Sequence, residues 1–153
     1  MAGFGGLRPR SGSAGRIALA VPDGTRVGPW RDLLPGVLRA LATAAPSSRR
    51  TLLLASGVHA PLPPGPLRAH LRGETGAAGA GATADADGAV DPFEGWEIVQ
   101  NGDDRFRGHV AVGTTPAGTP VRLHPAWVAA DFRVLLGEVS WHYFAGYGGG
   151  RKL

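Results

Sequence analysis

Three short stretches near the start of the chain most constrain its fold. Ile17 to Val21 is an apolar run bounded by Arg16 and Pro22, the length of a buried strand. Trp30, Leu33, Leu34, Val37, Leu38 and Leu41 then recur at helical spacing as one apolar stripe, closed by Ala44, Ala45 and Pro46. Thr51 to Ala55 is a second strand-sized run. A strand, a helix and a strand with short joints predict a parallel crossover, and with it an α/β fold: a mostly parallel sheet with flanking helices, Rossmann-like.

Past this unit the pattern changes. Residues 73 to 92 read GETGAAGAGATADADGAVDP, small and acidic with Val90 as the one sizeable apolar side chain, which predicts a flexible insertion within a single domain. Trp96 to Gln100 and Val110 to Val112 read as strands. Thr115-Pro116-Ala117-Gly118 supplies turn chemistry before Val121 to Leu123, predicting a hairpin. Ala126 to Ala130 suits a helical turn. Phe132 to Val139 reads as a late strand, buried on both faces through Val134, Leu135 and Leu136. Residues 1 to 15, rich in Gly, Arg and Ser, are expected to be a disordered extension preceding a domain over 16 to 153. A buried strand and a Gly-rich segment at the end of the chain, with no covering helix after them, make the sheet incomplete at its C-terminal side and imply a C-terminal domain absent from this chain or a separate partner chain.

Composition excludes several chemistries. The 153 residues contain no Cys, so disulfide scaffolds, thiolate nucleophiles and zinc ribbons drop out. No apolar run approaches a bilayer span, and the start lacks a signal-peptide core, which predicts a cytoplasmic protein with no membrane partner. Net charge is +4, unevenly spread: residues 1 to 72 carry ten Arg against two Asp, residues 73 to 104 carry eight acids and no base. Scattered Arg with a compensating acidic block, and no interleaved aromatics, argue against a nucleic-acid groove. Fifteen of the sixteen bases are Arg. Lys152 is the single primary side-chain amine, able to do chemistry a guanidinium cannot.

Polar clusters follow three of the apolar runs: Asp23-Gly24-Thr25-Arg26, Ser56-Gly57-Val58-His59 and Ser140-Trp141-His142. In an open parallel sheet ligands bind beyond the carboxyl ends of the strands, so these clusters are expected on one edge. Arg26 offers a planar fork for a carboxylate or phosphate, and Asp23 could orient it or a neighbouring imidazole. His59 and His142 form a candidate acid–base pair. His70, His109 and His124 lack such context and are expected at the surface. The glycines at 146 and 148 to 150 could let backbone amides approach an anion, although neither standard phosphate-loop fingerprint is met.

These motifs resemble the N-terminal domain of the nickel-pincer-nucleotide lactate racemase family. The likeness runs through DGTR at 23 to 26, SGVH at 56 to 59, GTTPAGTPV at 113 to 121 and HYFAGYGGGRK at 142 to 152. The resemblance implies two α/β domains with a cleft between them, and an isomerase that acts on a small 2-hydroxy acid. It implies that His59 and His142 are catalytic, exchanging the hydroxyl proton on opposite faces of the substrate. It also implies a nickel-pincer nucleotide attached covalently at Lys152, with Asp23, Arg26, Gly148, Gly149 and Gly150 around it; the family's nickel-ligating histidine lies downstream of that lysine, so this chain is expected to supply no metal ligand. Where the family has a Thr and an Arg flanking the first histidine, this chain has Val58 and Ala60, and a family serine is replaced by Gly148. The alternative expectation is a non-catalytic or degenerate α/β module that binds a phosphate-bearing ligand.

Overall fold

A computed structural model describes residues 15–23, 25, 26, 28–57, 59–72, 91–102, 108–144 and 146–149, without the side chain of His142. The expected N-terminal extension and the insertion over 73–92 fall outside the described residues, except for Gly15, Asp91 and Pro92. The strand–helix–strand unit is present as β1 (Arg16–Pro22), α1 (Trp30–Ala44) and β2 (Arg49–Ala55). Next come α2 (Pro64–Leu71), β3 (Trp96–Gln100), β4 (Val110–Thr114), β5 (Pro120–Leu123), α3 (Pro125–Ala129), β6 (Phe132–Leu135), β7 (Val139–His142) and β8 (Gly146–Gly149).

The main sheet has four strands in the order β3-β2-β1-β6, and every neighbouring pair is parallel. Period-two alternation decides which side chains meet the helices. Ile17, Leu19 and Val21 of β1 stand level with Arg50, Leu52 and Leu54 of β2, and the apolar members of this set join Trp30, Leu34, Leu38 and Leu41 of α1 in one core. Each of these helix side chains is almost wholly buried and contributes about 2 kcal/mol through removal from water. Leu33, expected on the same stripe, is 57% exposed: its position falls on the outer edge of the stripe, beyond the width that the sheet covers. α2 was not foreshadowed by the sequence pattern; Leu67, His70 and Leu71 bury its inner face, and Pro64 opens it at a position where no amide donor is needed.

The predicted hairpin is β4 and β5, antiparallel, with Gly118 N donating to Thr115 O at 2.9 Å across the turn. The long late strand is not continuous. It stops at Leu135, the chain bends through Leu136–Glu138, and β7 restarts as half of a separate ribbon with β8. β6 is an edge strand with alternating exposure, and Leu135 is 38% exposed rather than buried on both faces. Residues Gly146–Gly149, expected as a loop, are extended in β8, where Gly148 pairs with Ser140.

Candidate functional site

The carboxyl ends of β1, β2, β3 and β6 all point to one edge, and the β1/β6 boundary is where the order of the sheet reverses. Such a switch point leaves a crevice between diverging loops. A cavity of about 420 Å³ occupies it, drawn from Asp23 and Arg26 after β1, Ser56 and His59 after β2, Asn101 after β3, and Glu138 after β6. That volume lies within the range of small-molecule sites.

Asp23 organises the first loop. Its carboxylate is buried; Oδ1 accepts from the Thr25 amide at 3.2 Å and the Thr25 hydroxyl at 2.8 Å, while Oδ2 accepts from Nδ1 of His59. Burial alone would raise this carboxyl, but the hydrogen bonds from His59 and Thr25 outweigh it and hold the acid below its ordinary value. An ionised carboxylate can only accept, so Nδ1 of His59 donates and Nε2 is the ring nitrogen left to exchange a proton with a ligand. The imidazole is half-exposed. This is the arrangement of an oriented general base. The loop that carries it is set by His59 N donating to Ser56 O at 3.0 Å, and by Gly57 in a left-handed conformation.

Arg26 is exposed at the same cavity, with its backbone amide bonded to Asp23 O at 3.1 Å and its carbonyl accepting from the indole of Trp30 at 3.4 Å. Among the described residues no carboxylate pairs with its guanidinium. The structure therefore brings Asp23, Arg26, His59 and Gly149 to one cavity. Gly149 follows a left-handed backbone, and a Cβ there would stand 2.0 Å from the carbonyl oxygen of Glu138, so only glycine closes this wall. Gly148 lies in β8. The backbone of His142 ends β7, opposite Gly146. Its imidazole, Gly150 and Lys152 lie outside the described residues.

Sequence reasoning missed Asn101 and Glu138. Gly28 makes room for Glu138: a Cβ there would meet the Glu138 carboxylate at 1.8 Å. The expectation that His70 and His109 are surface residues is corrected: they are 3% and 8% exposed, His70 on α2 against Trp30 and Arg31 of α1 and His109 just before β4, while the half-buried His124 caps α3 by accepting from the Ala126 amide at 3.2 Å. A smaller cavity of about 270 Å³ runs on the other side of Asp23 and His59 to His70 and Gln100. Among the described residues, no three His, Asp or Glu side chains are placed to hold a metal ion. Among the described residues, no helix is long and apolar enough to cross a membrane.

A parallel sheet with a carboxylate-held imidazole and, among the described residues, a guanidinium without a carboxylate partner at its switch point defines an α/β domain suited to bind a small anion and move a proton. Comparison with known proteins narrows this class. Residues 90–153 match the lactate racemase N-terminal domain family. Over 136 residues, 89% of the chain, it is 29% identical to the lactate racemase of Lactiplantibacillus plantarum and 26% identical to that of Thermoanaerobacterium thermosaccharolyticum. The solved lactate racemase apoprotein from the latter organism superposes with a TM-score of 0.68 at 26% identity, covering 90% of this chain and 29% of that one. Sequence and fold comparisons therefore agree in finding a likeness to the N-terminal domain of lactate racemase. The chain spans 28% of the length of the curated relatives it matches.

Proposed function

We propose that the chain is the N-terminal part of a lactate racemase-like enzyme that interconverts the stereoisomers of a 2-hydroxy acid, completed by a second α/β domain or a separate chain and working in the cytoplasm without nucleic acid. One observation carries this reading: Nδ1 of His59 donates to Asp23, and His59 shares a single cavity with the guanidinium of Arg26, which among the described residues has no carboxylate partner. Arg26 would hold the substrate carboxylate through paired hydrogen bonds. His59 Nε2 would take the proton of the C2 hydroxyl, and Asp23 would stabilise the imidazolium that forms. His142 would exchange the same hydroxyl proton on the opposite face of the substrate, so that hydride returned to C2 from that face inverts the centre.

The residues present fit a tethered cofactor: the cavity is of the right order of size, and Gly149 lines it where a Cβ would stand 2.0 Å from the Glu138 carbonyl oxygen. When bound, a nickel-pincer nucleotide would supply the two-electron acceptor for the C2 hydride. Lys152, the single lysine, would anchor it through its primary amine, with Gly148 to Gly150 keeping the adjoining backbone free of side chains.

Production of the chain together with cofactor-making enzymes tests this by intact mass. The expected result is an adduct that K152R removes and H59Q retains. In protein carrying the adduct and its second domain, H59Q should slow interconversion of D- and L-acids by about 10²–10⁴-fold. An unmodified Lys152, or full activity in H59Q, would overturn the proposal.

A further inference from the structure

Asn101 lines the cavity with Arg26 and His59 but belongs to none of the sequence motifs. Its backbone is fixed from three sides. The Asn101 amide donates to Leu54 O at 2.7 Å; the preceding Gln100 side chain exchanges two 2.8 Å hydrogen bonds with the backbone of Leu62; and at Gly102 a Cβ would meet the Gly57 carbonyl oxygen at 2.7 Å. The side chain is fixed as well. Its Oδ1 accepts from Nε2 of the buried His109 at 2.5 Å, and His109 is itself held edge-to-face against His124, with its carbonyl accepting from Arg122 at 3.4 Å. With the oxygen committed, the two Nδ2 hydrogens are what Asn101 has left to offer a ligand, and among the described residues no acceptor meets them.

Strand order places this donor relative to the proton-handling groups. Asp23 draws the His59 imidazole toward β1, whereas Asn101 follows β3, about 4.8 Å beyond β2 on the other side. A three-carbon acid with its carboxylate on Arg26 and its hydroxyl on His59 has only a methyl group left, which accepts no hydrogen bond. Charge narrows the chemistry further. Arg26 is the one Lys or Arg lining the cavity among the described residues, and Glu138 lines its β6 end, so a second carboxylate is disfavoured and a neutral oxygen favoured. We propose that Asn101, positioned by His109, is a specificity-determining residue that donates to a hydroxyl beyond C3, making the ligand a longer, polyhydroxylated 2-hydroxy acid. This rests on the 2-hydroxy-acid reading above.

Asn101 is the single Asn and Gln100 the single Gln of the chain, so a nitrogen-15 spectrum holds two side-chain carboxamide signals. Lactate and gluconate are titrated separately into the full chain while those signals and the His59 ring are followed. Both acids should move His59; gluconate alone should move Asn101, with Gln100 unmoved as the internal reference. N101A should weaken gluconate by about 3- to 10-fold, the loss of one neutral hydrogen bond, and leave lactate unchanged. His109→Phe, which releases the Asn101 oxygen, should reduce the gluconate response of Asn101 while the lactate response of His59 persists. If His59 moves but gluconate leaves Asn101 still, or lactate moves Asn101 equally, the specificity assignment fails and the parent reading stands. If neither acid moves His59, both fail.

Discussion

Asp23 uses its two oxygens for separate tasks, one shaping its own loop through Thr25 and the other fixing the tautomer of His59. D23N keeps the shape and removes the charge that both partners favour. It should lower stability by on the order of 1 kcal/mol in urea titrations at pH 7, a modest value because His59 is half-exposed. The pH dependence has a definite sign. The Asp23 carboxyl titrates lower in the fold than when unfolded, so its contribution is complete above about pH 4 and is lost as pH falls through the folded value. Wild type and D23N should therefore converge in acid. At this scale the sequence was informative where chemistry came in motifs: Asp23, Arg26 and His59 each stand in a polar cluster directly after an apolar run. Asn101 and Glu138 were opaque because each is a lone residue whose place at the cavity depends on strand order and on a bend, neither of which leaves a local pattern.

Among the elements, β1, α1 and β2 were readable because one buried face imposes a period on each. α2 was not, since its eight residues include two prolines and a glycine and make barely two turns. It reaches the site nonetheless, because His70 lines the smaller cavity together with Asp23 and His59. Burial first, then the Arg31 guanidinium 3.1 Å from Nδ1, pull the His70 imidazole below its ordinary 6.5, and Asp23 offsets this in part. Neutral in the fold, His70 takes up a proton on unfolding at acid pH. Stability should fall as pH drops below about 6.5 and level off beneath the folded value, with a slope of at most about 1.4 kcal/mol per pH unit from this group. H70Q should flatten that interval in urea midpoints measured between pH 7 and 5; an unchanged slope would count against a buried neutral imidazole. The late strand was misread for a related reason. A run of apolar residues reports burial but not the bend at Leu136–Glu138, where the Leu136 amide still bonds Ala20 O at 2.9 Å before the chain leaves the sheet.

The whole molecule is uneven in how it treats its aromatic residues. Trp30 and Trp96 are buried at 1% and 6%, while Trp141, Tyr143, Phe144 and Tyr147 on the β7–β8 ribbon are each exposed by two-thirds or more. Trp141 and Tyr147 stack edge-to-face with each other, 5.5 Å between centroids. Acrylamide should quench this chain's tryptophan emission mainly through Trp141, and W141F should remove most of the quenchable fraction; equal quenching of the variant would mean the ribbon is covered. The strand order also has a thermodynamic reach. Because the cavity borrows a wall from the end of every strand in the main sheet, whatever lodges there works as a clasp across segments more than a hundred residues apart along the polymer. Occupancy at a hundred times the dissociation constant adds about 2.7 kcal/mol to the folded state, so the melting of the sheet becomes a gauge of what the crevice holds.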